Sequence, residues 1–209
     1  MGWLAASYSS KSTNNAGTIQ SLEKELWTLR DLKNQPDCII KTLCTAYPKV
    51  PKHKIRHYTL MINDLSCQYK LSWSLIAATI WVESQFDPTL TSPQEAKGLM
   101  QLLENTAADQ ALKMGIKYYA DKTVWDDITN LSLGVHYLRE AYEKEKDYQK
   151  ATYYYLAGPQ WRKTIIKNSR VRGYIQGYAS HVLKEKEKLD MLYLGLSGDM
   201  NNRQSFPSN

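Results

Sequence analysis

The chain has 209 residues, of which 43% are hydrophobic and 23% are charged, so it can bury one core and carry an additional element. Seven prolines and ten glycines are few for a β-sandwich of this length, so we expect a mainly α protein. The net charge of +6 favours acidic partners, such as nucleic acid, anionic lipid or the carboxylate-bearing polymers of a cell wall, without choosing among them.

No segment of the sequence is predicted to cross a membrane. The longest apolar run, from Leu75 to Val82, is far shorter than the ~18 residues that a transmembrane helix needs, and Thr79 interrupts it. The N-terminus, Met1 to Ser7, lacks a basic region and a full apolar core. We therefore interpret it as at most the remnant of a signal peptide.

The cysteines and the basic residues leave several interpretations open. A disulfide between Cys38 and Cys44 and three reduced thiols, including Cys67, are both compatible with the cysteine count. The chain has neither a C-x-x-C motif nor a His cluster at zinc spacing, so we expect no metal and no cofactor. Two basic clusters are interpreted as solvated faces in preference to dedicated anion sites. They are Lys49, Lys52, Lys54 and Arg56, and Arg162, Lys163, Lys167, Arg170 and Arg172.

Composition and periodicity divide the chain into a flexible lead-in, an N-terminal helical extension, a main domain and a mobile C-terminal tail. The extension is predicted to be helical because apolar residues recur at three- and four-residue spacing from Thr18 to Lys33. A second apolar stretch follows from Cys38 to Tyr47. We expect the extension to serve packing more than function. In chain order, the four segments cover residues 1–17, 18–52, 53–189 and 190–209.

The main domain is predicted to surround one central helix. Ser72 can cap a helix that continues through Glu83 and is apolar nearly all round, so this helix should be buried. Pro88 ends it, because a proline disfavours the helical conformation at Asp87. Residues 89–97 are predicted to form an extended or hairpin-like loop. The other predicted helices cover residues 54–69, 98–114, 127–144, 148–156 and 170–189.

Glu83 is the first candidate for chemistry. At the C-terminal end of an apolar helix, its charge is opposed by the negative end of the helix dipole and by neighbours such as Ile80 and Val82. Both effects raise the pKa of the carboxyl group, which lets it donate a proton near neutral pH, as the cleavage of a glycosidic bond requires. On its position alone, Glu83 would still be interpreted as an ordinary surface residue.

The motifs that follow Glu83 change this interpretation. Glu83–Pro88 reads E-S-Q-F-D-P and Gly98–Gln101 reads G-L-M-Q. Over residues 65–183 the chain resembles the soluble lytic transglycosylase family, whose motifs E-S-x-F-x-P and G-L-M-Q are both intact. Further matches follow in the family's order. They are Ser92, Thr106-Ala107, Asn130-Leu131, Gly134, Tyr137-Leu138, Tyr155, Ala157-Gly158-Pro159 and Tyr174.

The resemblance implies a lysozyme-like helical domain and a role for the matching residues. Glu83 would be the lone catalytic acid, which protonates the bond between N-acetylmuramic acid and N-acetylglucosamine. It would then deprotonate the C6 hydroxyl of muramic acid and so close a 1,6-anhydro ring. Tyr174 would position the Glu83 carboxyl group, and core packing is an equally good interpretation of Leu99. The residues implied to contact the substrate are Ser92, Met100, Gln101, Tyr155 and Tyr174.

The sequence departs from the family pattern at three positions. Glu95 stands where the family usually has Gly, so the loop is expected to bend differently. Glu104 replaces the usual Pro and, at a helix start, suits the helix dipole. Leu156 replaces the Asn of Y-N-A-G-P and removes an amide from the cleft.

Two other functions remain open, and a third is disfavoured. A muramidase-type hydrolase, similar to goose-type lysozymes, would need a second carboxylate, for which Asp87 and Glu95 are candidates. An inactive peptidoglycan-binding or assembly protein is favoured by Leu156 and opposed by the intact Glu83. Single-stranded nucleic acid would need Tyr153–Tyr155 on one surface, but consecutive residues of a helix point in different directions, so we expect no nucleic-acid partner.

The implied substrate, peptidoglycan glycan strands, predicts a periplasmic or cell-envelope location. Peripheral contact with the envelope and a partner in a secretion or envelope machinery are further expectations.

Overall fold

The computed structural model describes residues 36–120 and 122–203, and this part of the chain is mainly α-helical, as the composition predicts. The predicted helix at 18–33, the lead-in and residues 204–209 lie outside the described residues. The elements are α1 (residues 36–46), α2 (Lys52–Tyr69), α3 (Trp73–Ser84), α4 (Glu104–Lys113), a 3-10 turn (Thr123–Trp125), α5 (Asp127–Glu145), α6 (Tyr148–Ala157), α7 (Trp161–Lys167) and α8 (Ser169–Arg203).

Helix α3 lies at the centre of the core. Nine of its 12 residues are buried, and the buried hydroxyl of Thr79 donates to a backbone carbonyl one turn earlier. Helix α8 packs antiparallel along α3, with Tyr193 against Trp73 at one end and Tyr178 against Glu83 at the other. The apolar sequence of α3 therefore places the last turn of this helix directly against α8.

Both ends of α3 lie where the sequence predicts. Ser72 occupies the N-cap position, but its hydroxyl pairs with the Ser74 hydroxyl at 2.7 Å instead of capping a backbone N–H. At the other end, Gln85 and Phe86 adopt left-handed φ values of 52° and 64°. Because an α-helix cannot continue through this conformation, Glu83 is held in the final turn.

Helix α4 starts six residues later than the predicted start at residue 98. Gly98 and Gln101 have left-handed φ values of 78° and 45°, which an α-helix does not contain. Lys97 forms isolated β-bridges with residues on both sides of it. The predicted hairpin-like loop is therefore confirmed, and it extends as far as Leu103.

The two helices after α6 also differ from the prediction. The apolar pattern of the sequence does not predict helix α7, because Trp161 is the one buried residue of this helix. Helix α8 is continuous as far as Arg203, so residues 190–203 of the predicted tail are helical. Asp190 accepts a hydrogen bond from Ser74 at 2.5 Å, which ties the extra length of α8 to the start of α3.

Helix α1 completes the core of the main domain. Ile39 and Leu43 are fully buried. Tyr47, just after the helix, stacks on Trp81 with ring centroids 4.1 Å apart and donates a hydrogen bond to Glu185 at 3.1 Å. The described part of the N-terminal extension therefore serves packing, as predicted.

None of the three cysteines forms a disulfide, so the bond between Cys38 and Cys44 is absent. Cys38 is buried, Cys44 is partly buried and Cys67 is exposed. Within residues 36–120 and 122–203, none of the helices combines the length and apolarity that crossing a bilayer requires.

Candidate active site

Glu83 lies in the last turn of α3, where the core meets the surface, and its side chain is half-buried. Burial raises the pKa of the Glu83 carboxyl group to about 7, in the direction that the sequence predicts. The negative end of the α3 dipole acts in the same direction. A carboxyl group with this pKa is present in both protonation states at neutral pH, so it can donate a proton and later accept one.

One hydrogen bond holds the Glu83 carboxyl group. The Tyr178 hydroxyl donates to Glu83 Oε1 at 2.5 Å across the contact between α3 and α8. This bond favours the ionised carboxylate and so opposes burial in setting the pKa. Burial and the Glu83 charge raise the pKa of Tyr178 well above its ordinary value, so the phenol remains a donor. In the described chain no second hydrogen bond reaches this carboxyl group, which leaves Oε2 for a substrate.

The expectation that Tyr174 positions Glu83 is wrong. Tyr174 is 68% exposed, and the hydrogen bond comes instead from Tyr178, one helical turn further along α8. Both tyrosines follow a glycine. Tyr178 lies three residues after the buried Ile175 and four before the buried Val182, so the core stripe of α8 continues on both sides of it. That stripe is the sequence signal that could have identified Tyr178.

A set of buried hydrogen bonds fixes the loop next to the carboxyl group. The Ser84 hydroxyl donates to the Leu99 carbonyl at 2.8 Å and joins the end of α3 to the loop. Asn130, fully buried on α5, accepts from the Met100 N–H at 2.9 Å. Its amide also donates to one carbonyl of the loop at 2.9 Å and to one of the 3-10 turn at 3.0 Å. Asn130 thus hydrogen-bonds backbone groups of both the loop and the 3-10 turn and holds the two together.

Met100 and Tyr155, for which the resemblance implies contact with substrate, are both buried. Met100 is completely buried, as is Leu99, so both side chains belong to the core. Met100 fits because α5 carries Gly134 at the contact, where a Cβ atom would overlap the methionine side chain. Tyr155 is also buried, and its hydroxyl donates to the Met100 carbonyl at 2.8 Å. Both residues support the loop beside Glu83 from within.

Gln101 and Ser92 brace the loop and stay partly exposed. The Gln101 amide donates to the carbonyls of Leu90 and Gly98, each at 3.0 Å. The Ser92 oxygen accepts the backbone N–H groups of two later loop residues at 3.2 and 3.1 Å, which leaves its hydroxyl proton for another acceptor. For these two residues, contact with substrate stays a prediction.

The structure accommodates the three departures from the family pattern in different ways. Glu95 is exposed and adopts a φ of 62°, the left-handed conformation that a glycine takes more easily. Glu104 is the first residue of α4, and its carboxylate lies 3.9 Å from the Lys97 ammonium. Leu156 is partly buried and packs against the core, so an apolar surface replaces the amide of the family.

A groove of about 300 Å³ lies beside this site, and Glu83 does not line it. Two carboxylates, Asp109 and Glu140, line it, and burial alone would raise the pKa of Glu140. Four hydrogen bonds outweigh burial and lower the pKa of Glu140 to about 2. The charges of this groove are therefore satisfied by one another. The donors to Glu140 are Lys113 (2.6 Å), Lys144 (2.9 Å), Gln110 (3.2 Å) and Tyr154 (3.0 Å).

Asp87, a candidate second carboxylate, braces the turn around Pro88. Its Oδ1 accepts the Thr89 N–H at 2.9 Å and the Thr89 hydroxyl at 2.7 Å. These bonds lower the pKa of Asp87, so it is an exposed, ionised residue of the turn.

The alternative chemistries find no support in the described residues. Tyr153, Tyr154 and Tyr155 are all buried, so they offer no surface on which nucleic-acid bases could stack. Within the part of the chain that the structure describes, His, Cys, Asp and Glu side chains do not form a group that could hold a metal ion.

Residues 60–176 match the family model described as the transglycosylase SLT domain. This match covers more than half of the chain, so the chain belongs to the transglycosylase SLT family. The soluble lytic murein transglycosylase of Escherichia coli K12 is 30% identical over 136 residues, which are 61% of this chain and 21% of that protein. The membrane-bound lytic murein transglycosylase F of Klebsiella pneumoniae is 35% identical over 78 residues, which are 37% of this chain and 14% of that protein.

Solved structures confirm the predicted lysozyme-like helical fold. The 70 kDa soluble lytic transglycosylase SLT70 from Escherichia coli aligns with a TM-score of 0.57 and 22% identity, over 77% of this chain and 29% of that chain. An inactive mutant of the lytic transglycosylase Slt from Pseudomonas aeruginosa gives 0.52 and 24%, over 71% and 26%. At these identities the similarity concerns the fold. The chain spans 14% to 27% of the length of the first curated relatives.

Proposed function

We propose that this chain is a peptidoglycan lytic transglycosylase that cleaves the β-1,4 bond between N-acetylmuramic acid and N-acetylglucosamine. The observation that carries the proposal is Glu83, a half-buried carboxyl group with a pKa of about 7 that Tyr178 holds at one oxygen. The family supports the substrate class, because relatives of the chain are named lytic murein transglycosylases.

Glu83 acts first as an acid and then as a base. Its neutral carboxyl group donates a proton to the glycosidic oxygen, and the bond from C1 of muramic acid to that oxygen breaks, so N-acetylglucosamine leaves. The resulting carboxylate removes the proton of the muramic acid C6 hydroxyl, and O6 forms a bond to C1. The product is a 1,6-anhydro ring, the proton is back on Glu83, and no water is consumed.

The carboxylates near the site favour this reaction over hydrolysis. A muramidase-type hydrolase needs a second carboxylate that holds a water molecule next to the sugar. Asp87 is exposed and already bonded to Thr89, and Glu95 is exposed in a left-handed turn of the loop. Glu83 therefore acts alone, which suits the internal attack of the C6 hydroxyl.

The substrate fixes where the reaction takes place. Peptidoglycan lies outside the cytoplasmic membrane, so the proposal implies a periplasmic or cell-envelope location for the chain.

Digestion of purified sacculi with the wild-type chain and with Glu83→Gln tests the proposal. We expect the wild type to release fragments that end in 1,6-anhydro-muramic acid, identified by mass spectrometry. Glu83→Gln keeps the shape of the side chain and removes the proton donor, so turnover should fall by roughly 10³-fold. Glu95→Gln and Asp87→Asn are matched controls, and both should retain activity within about twofold.

Each other outcome separates the remaining functions. Fragments with reducing-end muramic acid would reject transglycosylation, and their loss in Asp87→Asn or Glu95→Gln would establish the hydrolase. If neither the wild type nor Glu83→Gln releases fragments but both sediment with sacculi, the chain is an inactive peptidoglycan-binding protein.

A further inference from the structure

The excess positive charge of the chain is confined to one stretch. Residues 148–184 contain seven Lys and Arg residues and no Asp or Glu. Subtracting this +7 from the +6 of the whole chain leaves −1 for all other residues. The stretch includes α7 and the first half of α8, which is the helix that carries Tyr178 to Glu83. The excess positive charge therefore lies on the stretch of chain that also supplies the hydrogen-bond partner of Glu83.

Three cations of this stretch are exposed and have no ion-pair partner. They differ from Arg162, which is paired with Glu145, and from Arg172, whose Nε donates to the Ile165 carbonyl at 2.8 Å. Among the described residues no carboxylate lies within ion-pair distance of the three, which we call the cationic corner. The cationic corner consists of Lys163, Lys167 and Arg170.

The corner is connected to Glu83 along one face of α8. Arg170, Tyr174 and Tyr178 follow each other at four-residue spacing, so they lie close to one line on the helix surface. The distance from Arg170 to Tyr178 along the axis is about 12 Å at 1.5 Å per residue. The exposed ring of Tyr174 lies between them. A ligand at Glu83 can therefore reach the corner with a flexible arm of that length.

We propose that the cationic corner binds the carboxylates of the stem peptides that muramic acid carries. This inference rests on the proposed function, since it assumes a glycan strand at Glu83. An extended peptide of four residues spans ~13 Å, which matches the distance from Tyr178 to Arg170. Stem peptides end in carboxylates, which are the groups that Lys and Arg recognise. The chain thus prefers glycan strands that retain their peptides.

The surface fits a peptide better than a lipid bilayer. Ile166 (75% exposed) and Tyr174 (68% exposed) are the large apolar side chains exposed at the corner. Helix α7 has seven residues, too few for the broad apolar face with which an interfacial helix inserts between lipids. Charge without a large apolar face favours a soluble anionic arm.

The test compares a corner variant with a matched control. The corner variant combines Lys163→Gln, Lys167→Gln and Arg170→Gln. The control combines Lys49→Gln, Lys52→Gln and Arg56→Gln, which removes the same charges from exposed residues of α2 and the turn before it. Each triple variant is made in the full chain. It is combined with Glu83→Gln for the binding measurements, and it is made without that substitution for the cleavage assay. The substrates are glycan strands with stem peptides and the same strands stripped of peptides by an amidase.

We expect the corner variant to bind peptide-bearing strands roughly tenfold more weakly, because three exposed charge contacts are lost. Its binding to stripped strands should not change, and the control should stay within about twofold on both. The difference should shrink at high salt. In the cleavage assay KM should rise on peptide-bearing strands while kcat stays the same, since Glu83 is untouched.

Three outcomes would overturn the inference. The corner variant and the control could lose binding equally, which would indicate nonspecific charge. Peptide-bearing and stripped strands could be affected equally, which would place the contact on the sugar. The corner variant could bind glycan strands normally and lose binding only to vesicles of equal parts phosphatidylglycerol and phosphatidylcholine. That result would identify a membrane surface as the partner of the corner. Binding is measured without turnover, so a peptide-dependent difference can survive even if cleavage, and with it the proposed function, fails.

Discussion

Glu83 and Glu140 are two glutamates on core helices of the same domain, and their pKa values are shifted in opposite directions. Glu83 accepts one hydrogen bond, from a phenol, and its pKa is raised to about 7 by burial. Glu140 also accepts a hydrogen bond from a phenol, that of Tyr154, but its pKa is lowered to about 2 despite burial. The difference lies in the other donors to Glu140, which include Lys113 and Lys144.

The comparison shows that burial alone does not make a proton donor. Burial destabilises the charged form of both carboxyl groups, but two ammonium groups restore that form at Glu140. At Glu83 no cation lies within ion-pair distance among the described residues, so burial decides. A reaction centre and a structural ion network therefore arise from the same residue type in neighbouring parts of one core.

The largest expected difference between the two sites is in folding stability. Glu140→Gln leaves Lys144 without a carboxylate partner and Lys113 with Asp109 alone, so the free energy of unfolding should fall by about 2 kcal/mol at neutral pH. Glu83→Gln removes a carboxyl group whose ionisation the fold resists, so the free energy of unfolding should rise by about 1 kcal/mol. Urea denaturation of the two variants and the wild type measures both changes.

Activity sharpens this contrast from the other side. Glu140→Gln should retain turnover at temperatures where it is folded, while Glu83→Gln should lose turnover roughly 10³-fold. If Glu140→Gln abolishes turnover without loss of folded protein, the groove beside the site takes part in the reaction, and the division between the two glutamates is wrong.

The pH dependence of stability should have opposite signs at the two sites. The folded pKa of Glu83 lies above its ordinary value of 4.5, so the folded state binds the extra proton between pH 4.5 and about 7. The contribution of Glu83 to the free energy of unfolding is complete below pH 4.5 and is lost as pH rises to about 7. The folded pKa of Glu140 lies below 4.5, so its contribution is complete above pH 4.5 and is lost as pH falls to about 2.

Subtracting the stability curves of the variants from that of the wild type isolates each glutamate. The Glu83→Gln difference should change by about 1–2 kcal/mol between pH 4.5 and 7, and the Glu140→Gln difference by a similar amount below pH 4.5. A flat Glu83 curve across the upper window would mean that its carboxyl group titrates normally, and the reaction would then need another acid.

The sequence predicts the frame of the site better than its details. The apolar pattern of α3 and the stop at Pro88 place Glu83 correctly, because both signals are local in the chain. Burial of Met100 depends on the missing Cβ of Gly134, more than thirty residues away, and no local pattern of the loop contains it. The left-handed φ at Gln101 likewise comes from the hydrogen bonds of the folded loop.

The choice between the two tyrosines of α8 could not be made by spacing for the same reason. Tyr174 and Tyr178 are one turn apart on one face, and the register of α8 against α3 decides which of them meets Glu83. That register is set by distant contacts, such as Tyr193 on Trp73 at the other end of the helix pair. The buried positions around Tyr178 become informative once this packing is known.

The smallest expected effect tests this register directly. Tyr178→Phe removes the hydroxyl that donates to Glu83 Oε1, so the carboxyl group loses its orientation and kcat should fall roughly fivefold. Since this hydrogen bond lowers the pKa of Glu83, its loss raises that pKa further. The alkaline limb of the kcat profile should therefore move to higher pH, which a loss of packing alone would not produce.

Tyr174→Phe is the matched control, because it removes the same hydroxyl one turn away on an exposed ring. Its kcat and alkaline limb should equal those of the wild type within about twofold. A reversed result, in which Tyr174→Phe shifts the alkaline limb and Tyr178→Phe does not, would mean that α8 moves by one turn when substrate binds. In that case the partner of Glu83 during the reaction would be Tyr174, and the contact between α3 and α8 would be part of the catalytic cycle.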